Sequence, residues 1–245
     1  MRTQFQSIWI LLMSGGVNMV KTNSFNEWLR FTQDLILPAT LATIRLVLLV
    51  VIIGYAFGFL VGCVLYIYSP NGLNPNKKVY KIANFFVNII RSIPILILIV
   101  ALIPVTRAII GTSVGPNAVI IPLSLAATAF IARYLETIFN SVDRQTIEAA
   151  RSYGASNKDI MRYIVVRESI PGMVSTLTLA TINNIAGSTI AGAVGGGGIG
   201  AIAINYGYQS FNNTILYTSV VLLYLMVQIV QSVGNKIYEK QIKES

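Results

Sequence analysis

The sequence predicts an all-α integral membrane protein with five transmembrane helices. Hydrophobic residues make up 54% of the 245 residues, and charged residues make up only 11%. The stretch 169–235 contains no charged residue. Because a helix needs about 20 apolar residues to cross the hydrocarbon core, the chain has room for about five or six spans and not for a separate soluble domain.

The first predicted span, Leu46–Tyr68, carries Gly54, Gly58 and Gly62 at four-residue spacing. This spacing puts the three glycines on one helix face, and small residues let two membrane helices approach closely. The span is therefore expected to pack tightly on another helix. That helix belongs either to the same chain or to a second copy.

The second and third predicted spans contain the charged residues nearest to the membrane. The second covers about 82–103 and includes Arg91 and Pro94. Its uncharged part is too short to cross a bilayer, so Arg91 is expected in or beside the membrane, more often as a helix-end residue than as a substrate ligand. The third, Ala118–Phe139, ends with Arg133 and Glu136, which can pair at a spacing of three residues.

The fourth and fifth predicted spans are Pro171–Val194 and Asn213–Gly234. Polar side chains interrupt the apolar turns of the fourth span. They are expected either to hydrogen-bond within the helix bundle or to line a route for a solute, and they are Asn183, Asn184, Ser188 and Thr189.

The distribution of basic residues predicts the orientation, because cytoplasmic loops hold an excess of lysine and arginine. Basic residues precede span two, fill the segment between spans three and four, and follow span five, whereas the loops GTSVGPN and GGGGIGAIAINYGYQSFN hold none. The N-terminus is therefore expected outside and the C-terminus in the cytoplasm. The net charge of +9 is explained by topology and by contact with membrane lipid, without nucleic acid.

The segment between spans three and four is predicted to form a helix, a tight turn and a second helix. Asp143 or Thr146 can begin the first helix, Gly154 can end it, and Ser156 with Asp159 can form a capping box for the second. An apolar stripe that includes Ile160 and Ile164 is expected to present a small knob with a charged rim to a groove on a cytoplasmic partner. A charged loop resting on anionic lipid is the alternative.

Composition limits the chemistry. The chain has no histidine and a single cysteine, Cys63, so it has no imidazole base or ligand and no intramolecular disulfide. It also has no G-x-x-x-x-G-K-[ST] phosphate loop. The span interiors lack the carboxylates that ion-coupled carriers commonly hold in the membrane. A transporter of this composition is expected to use the ATPase of another polypeptide and to have no catalytic residue, metal or cofactor of its own.

Translation is predicted to start at Met19, because Ser14-Gly15-Gly16 can be encoded by a ribosome-binding sequence. The predicted divisions are an N-terminal extension, 1–39, a permease domain, 40–235, and a cytoplasmic tail, 236–245.

The charged segment resembles the EAA motif of ABC-importer permease subunits, with Glu148-Ala149-Ala150, then Gly154 and Ile164. RSIP, IPVTRAIIGTSVG, FIAR, GAVGGGGIG and NYGYQSFN are similar to the methionine-importer permeases, and together these stretches cover roughly 40–235. The usual proline of the motif is missing after Ile164, which leaves the end of the second helix open.

The resemblance implies a type I ABC importer permease fold with cytoplasmic coupling helices between spans three and four. It implies that methionine, with D-methionine or related amino acids, crosses between two copies of the chain, in a bacterial plasma membrane. A pair of ATPases and an external methionine-binding protein would complete the importer. The implied ATPase-coupling residues are Glu148, Ala149, Ala150, Arg151, Gly154, Ile160 and Ile164.

An apolar gate is implied near Ile190 and Val194, which flank a run of small residues before the glycine loop. Two other functions remain possible on the sequence. One is an ion-coupled secondary carrier of small neutral amino acids, and the other is a membrane scaffold that recruits a cytoplasmic protein.

Overall fold

The computed structural model describes residues 30–244, and within this range the chain is helical with no strand. The translation start predicted at Met19 lies outside the described residues. In chain order the helices are α1 (Leu37–Tyr68, continuing a π-helical turn Thr32–Ile36), α2 (Lys77–Ser92), α3 (Ile95–Ala101), α4 (Ile103–Ile110), α5 (Ile120–Asn140), α6 (Arg144–Ser152), α7 (Asn157–Asp159, π-helical Ile160–Val165, Val166–Glu168), α8 (Ile170–Ala193), α9 (Gly198–Ile202, continued by π-helical Ala203–Tyr208) and α10 (Asn213–Glu244).

Three of the described helices are long and apolar enough to cross a membrane by themselves: Thr32–Tyr68, Ile120–Asn140 and Asn213–Lys243. Two bent pairs raise the number to as many as five. These pairs are α2 with α3, bent by 102°, and α8 with the α9 region, bent by 43°.

The predicted second span is not one continuous helix. α2 ends at Ser92, and α3 begins at Ile95 after extended backbone at Ile93, whose φ is −87° and ψ is 125°. Proline has no N–H for a helix and forces the residue before it out of the helical region, so Pro94 breaks the helix at this point.

The three spaced glycines of α1 pack on α5 of the same chain. A Cβ added to Gly54 would lie 2.6 Å from Ala127 Cβ, and one added to Gly58 would lie 2.8 Å from Ile131 Cβ. At Gly62 the corresponding distance is 3.0 Å to Leu135 Cβ. The intrachain alternative is therefore correct for this face, and the two helices approach closely along about two turns.

The glycine loop between α8 and α9 is joined to α1 by a buried hydrogen bond. The backbone N–H of Ile199 donates to Thr43 Oγ1 at 2.9 Å. A Cβ on Gly198, whose φ is +73°, would lie 2.5 Å from the same oxygen. The loop therefore needs glycine for its backbone angle and for close approach to α1.

Neither predicted domain boundary coincides with the end of a helix. α1 begins at Leu37 and continues across the boundary predicted between residues 39 and 40. α10 begins at Asn213 and continues across the boundary predicted between residues 235 and 236, ending at Glu244.

α7 passes into α8 with only Ser169 between the two helices. The proline that the motif places after Ile164 is absent, and the chain has Val166-Arg167-Glu168 there.

Candidate docking segment and membrane faces

Side-chain caps define the start of each helix in the helix-turn-helix segment. Asp143 caps α6 and accepts a hydrogen bond from Gln145 N at 3.0 Å. Gly154 ends the helix with a φ of +82°. Ser156 and Asp159 form the capping box of α7, with 3.3 Å from Asp159 N to Ser156 Oγ. The predicted local structure is confirmed.

The apolar faces of α6 and α7 point into the protein. Ile147 is 9% exposed and Ile160 is fully buried, and Ile164 and Ala150 pack partly buried against the same core cluster. The expectation that the stripe with Ile160 and Ile164 forms an exposed knob is therefore wrong. Leu73, from the turn between α1 and α2, belongs to the same cluster and helps to cover it.

The opposite side of the segment is exposed in the described chain. Glu148, Ala149 and Ser152 are exposed, and Tyr153, the last residue before Gly154, is 93% exposed. Sequence reasoning missed Tyr153, although an aromatic residue directly before a helix-ending glycine could have indicated it. This surface, which we call the α6 tip (Glu148, Ala149, Ser152, Tyr153 and Gly154), offers an aromatic side chain to a partner.

Arg151 joins the segment to the rest of the membrane domain. Its Nη2 donates to the backbone oxygen of Leu73 at 2.8 Å, across 78 positions of the chain, and more weakly to Asn157 Oδ1 at 3.4 Å. Hydrogen bonds from a charged donor are stronger than neutral ones. A displacement of α6 would therefore be passed to the turn after α1.

A partly buried ion pair within α5 forms hydrogen bonds with side chains of α2. Arg133 Nη1 donates to Glu136 Oε2 at 2.6 Å, which confirms the predicted pair. Glu136 is 5% exposed and also accepts a hydrogen bond from the Tyr80 hydroxyl at 2.9 Å. Arg133 Nη2 donates to the side-chain oxygens of Asn84 and Asn88. Both charges are compensated inside the chain.

The polar residues predicted in span four do not share one face of α8. Asn184 and Ser188 are buried and donate to the backbone oxygens of Ala180 at 2.8 Å and Ile185 at 2.7 Å, and Thr189 also donates to Ile185 O, at 3.2 Å. These three satisfy their hydrogen bonds within the helix.

Asn183 and Ile190 lie on a different face of α8 and are exposed, Ile190 by 38%. Val194 is half-buried where α8 ends. Arg91 is exposed in the last turn of α2, immediately before the break at Pro94.

Residues 54–244 match the family described as binding-protein-dependent transport system inner membrane component. The chain is 37% identical over 218 residues to a probable D-methionine transport system permease protein MetI of Vibrio cholerae, covering 89% of this chain and 97% of the relative. It is 39% identical over 173 residues to the methionine import system permease protein MetP of Bacillus subtilis, covering 71% and 78%.

Solved structures agree with the sequence relatives. A chain of the MetNI methionine ABC transporter in inward-facing conformations superposes with a TM-score of 0.83 at 37% identity, covering 86% of this chain and 97% of that one. An amino acid ABC transporter superposes with a TM-score of 0.71 at 19% identity, covering 89% and 98%, and this likeness shows the fold alone. The chain therefore belongs to the family of binding-protein-dependent transport system inner membrane components.

Proposed function

We propose that this chain is the permease subunit of a methionine ABC importer and forms the translocation pathway for methionine, with D-methionine or related amino acids as further solutes. Two relatives that match most of the chain are named for methionine or D-methionine transport. ATP binding and hydrolysis belong to a partner ATPase in this proposal. The permease itself has no catalytic residue, metal or cofactor.

The proposed arrangement is five spans in a bacterial plasma membrane, with the N-terminus outside and the C-terminus in the cytoplasm. It counts each bent helix pair as one span. Residues 40–235 form the permease domain, 1–39 an extension and 236–245 a cytoplasmic tail. The basic residues at the start of α2, in α6 and α7 and at the end of α10 then lie on the cytoplasmic side.

The α6 tip is the proposed docking site of the ATPase, and α6 and α7 are the coupling helices. The observation that carries this proposal is the contrast between Tyr153, which is 93% exposed, and Ile160, which is fully buried below it. A rigidly anchored helix with an exposed aromatic end can enter a groove and transmit force. Glu148, Ala149, Ser152 and Gly154 form the contact surface. Ala150, Arg151, Ile160 and Ile164 hold it in place.

A second copy of the chain is proposed to complete the pathway. The exposed face of α8 that carries Asn183 and Ile190 would expose an amide to hydrocarbon in a single copy, which is unfavourable. In a homodimer this face can border the route, with Ile190 and Val194 at the gate. An external methionine-binding protein would deliver the solute, and ATPases would dock on the two α6 tips.

Truncating the aromatic end of the α6 tip tests the docking proposal. We expect Tyr153→Ala to weaken ATPase binding about 30-fold, because an exposed tyrosine that becomes buried at the centre of an interface typically contributes about 2 kcal/mol. The measurement is the amount of phosphate-loop ATPase that co-purifies with the tagged chain in mild detergent. Tyr208→Ala, at a 70% exposed tyrosine outside this segment, is the control. Equal recovery of ATPase with both variants would refute the proposal.

Arg151 is expected to transmit movement and not to bind the ATPase. Arg151→Gln should lower methionine uptake by about 10-fold or more, because the charged hydrogen bond to Leu73 O is worth about 1.5–3 kcal/mol. ATPase recovery should stay at the wild-type level. Arg144→Gln, on the same helix, is the control and should change neither quantity. Loss of ATPase together with uptake in Arg151→Gln would mean that this side chain belongs to the docking surface.

A further inference from the structure

α2 has three distinct faces along its length. One face packs on α1 and α5 and includes Val87, which is 4% exposed. A second face is apolar and exposed, with Ile82 at 60%, Phe86 at 60% and Ile89 at 42%. Between these two lies a line of polar side chains, which we call the polar stripe: Lys81, Asn84, Asn88 and Ser92.

The polar stripe is held in position by hydrogen bonds. Arg133 of α5 donates to the side-chain oxygens of both Asn84 and Asn88, and Ser92 Oγ donates to Asn88 O at 2.8 Å. The charge of Arg133 is compensated by Glu136. A shallow cavity of about 470 Å³ is lined by all four stripe residues together with the apolar side chains of Phe85, Ile89 and Ile93.

The contacts between α2 and α5 place the stripe at membrane depth. The two helices are antiparallel, since Tyr80 contacts Glu136 while Asn88, two turns later, contacts Arg133. Arg133 lies three residues from the midpoint of α5, which corresponds to about 4.5 Å along the helix axis. The stripe therefore runs from near the cytoplasmic end of α5, at Lys81, toward the middle of that span, at Asn88 and Ser92.

A row of polar groups at this depth is unfavourable against lipid, since each group without a partner costs several kcal/mol in hydrocarbon. The neighbouring face with Ile82 and Phe86 suits lipid instead. The stripe must then face water or protein.

The stripe is also positively charged. Neither Lys81 nor Arg91, which precedes Ser92 in the last turn of α2, has an acidic partner in an ion pair among the described side chains. In a water-filled passage with apolar walls, such charges attract anions. Amino acids carry a carboxylate that can interact with both cations.

We propose that the polar stripe is a water-facing wall of the translocation pathway, where Lys81 and Arg91 attract the carboxylate of a small solute. This site rests on the proposed transport function and adds a pathway surface on α2 to that of α8. The two positive charges of this site favour the passage of solutes that carry a carboxylate and disfavour purely cationic solutes.

The single cysteine makes a direct test possible. In a Cys63→Ala background, Ser92→Cys and Phe86→Cys are compared for reaction with two membrane-impermeant methanethiosulfonates, one anionic and one cationic. Each rate is divided by that reagent's rate with free cysteine. Each cysteine variant is labelled both in the complete complex and as the permease alone, in vesicles open to reagent from the two sides.

We expect Ser92→Cys to react at least about 10-fold faster than Phe86→Cys. The normalised rate at Ser92→Cys should favour the anionic reagent several-fold, and Lys81→Gln combined with Arg91→Gln should remove this preference. Equal rates at the two positions, or an absent anion preference, would overturn the proposal. A shielded Ser92→Cys that forms a disulfide with a second copy would identify a dimer contact and overturn it as well.

The labelling needs neither ATP nor methionine. The labelling can therefore contradict the polar-stripe proposal without contradicting the importer proposal, because the importer proposal depends on the recovery of an ATPase.

Discussion

Gly58→Leu is expected to prevent the accumulation of folded permease. Even a bare Cβ at this position would lie 2.8 Å from two atoms of Ile131, a residue with no solvent exposure, and 3.1 Å from Thr128 O. α1 and α5 cannot separate locally, because Gly54 and Gly62 fix the same close approach on either side. We expect a loss of about 3 kcal/mol, at the upper end of the range for overpacked cores. The measurement is the monodisperse fraction in detergent after mild heating.

Ala56→Leu is the matched control for this prediction. Ala56 lies on the same helix, two positions before Gly58, and is exposed. The added volume is similar, but it points away from α5. If Gly58→Leu and Ala56→Leu gave equally stable protein, the close α1 and α5 packing described above would be incorrect.

Gly154→Asp is expected to abolish methionine uptake, with at least about a 10-fold loss, while the permease still folds. Nothing lies within 4 Å of a Cβ at Gly154, so the new side chain would occupy space outside the chain, next to Tyr153. It would place bulk and negative charge in the proposed interface with the ATPase. The cost of the left-handed backbone, with φ at +82°, is moderate because aspartate tolerates this conformation better than most residues. Uptake by cells that express the complete importer is the measurement.

Gly111→Asp separates docking from backbone strain. Gly111 has a φ of +84° and likewise has no atom within 4 Å of an added Cβ, but it follows α4 and lies away from the docking segment. The two variants carry the same conformational cost. Equal loss of uptake would mean that strain, and not the α6 tip, explains the effect at Gly154.

Local chemistry in the sequence predicted the helix ends correctly. Asp143, Gly154 and the pair Ser156 and Asp159 occupy the positions expected of them, because caps depend on neighbours within a few residues. The sequence also contains Pro94, a residue that interrupts helices. The two apolar stretches around it nevertheless add up to the length of one span, and length alone does not reveal a 102° bend.

The direction in which a side chain points was harder to predict. Periodicity identified the stripe with Ile160 and Ile164 but could not tell a face that covers the core from one that meets a partner. The residues that decide this are remote in sequence, and they include Tyr66, Leu73 and Phe139 of the same core cluster. Asn183 and Asn184 show the same limit of prediction, since one is exposed and the other is buried. Which of two adjacent amides faces the protein interior depends on the rotation of α8 about its axis, and tertiary packing sets that rotation.

The central claim is that this chain is the permease subunit of an ATP-driven methionine importer. A measurement of which energy source drives transport tests this claim most directly. The tagged chain and the proteins that co-purify with it would be placed in vesicles with a methionine-binding protein, and methionine accumulation would be measured with ATP, without ATP, and with an ion gradient alone. The account predicts accumulation only where ATP reaches the ATPase, and none with the permease by itself. Accumulation by the permease alone, driven by an ion gradient in vesicles free of ATP, would contradict it and indicate a secondary carrier.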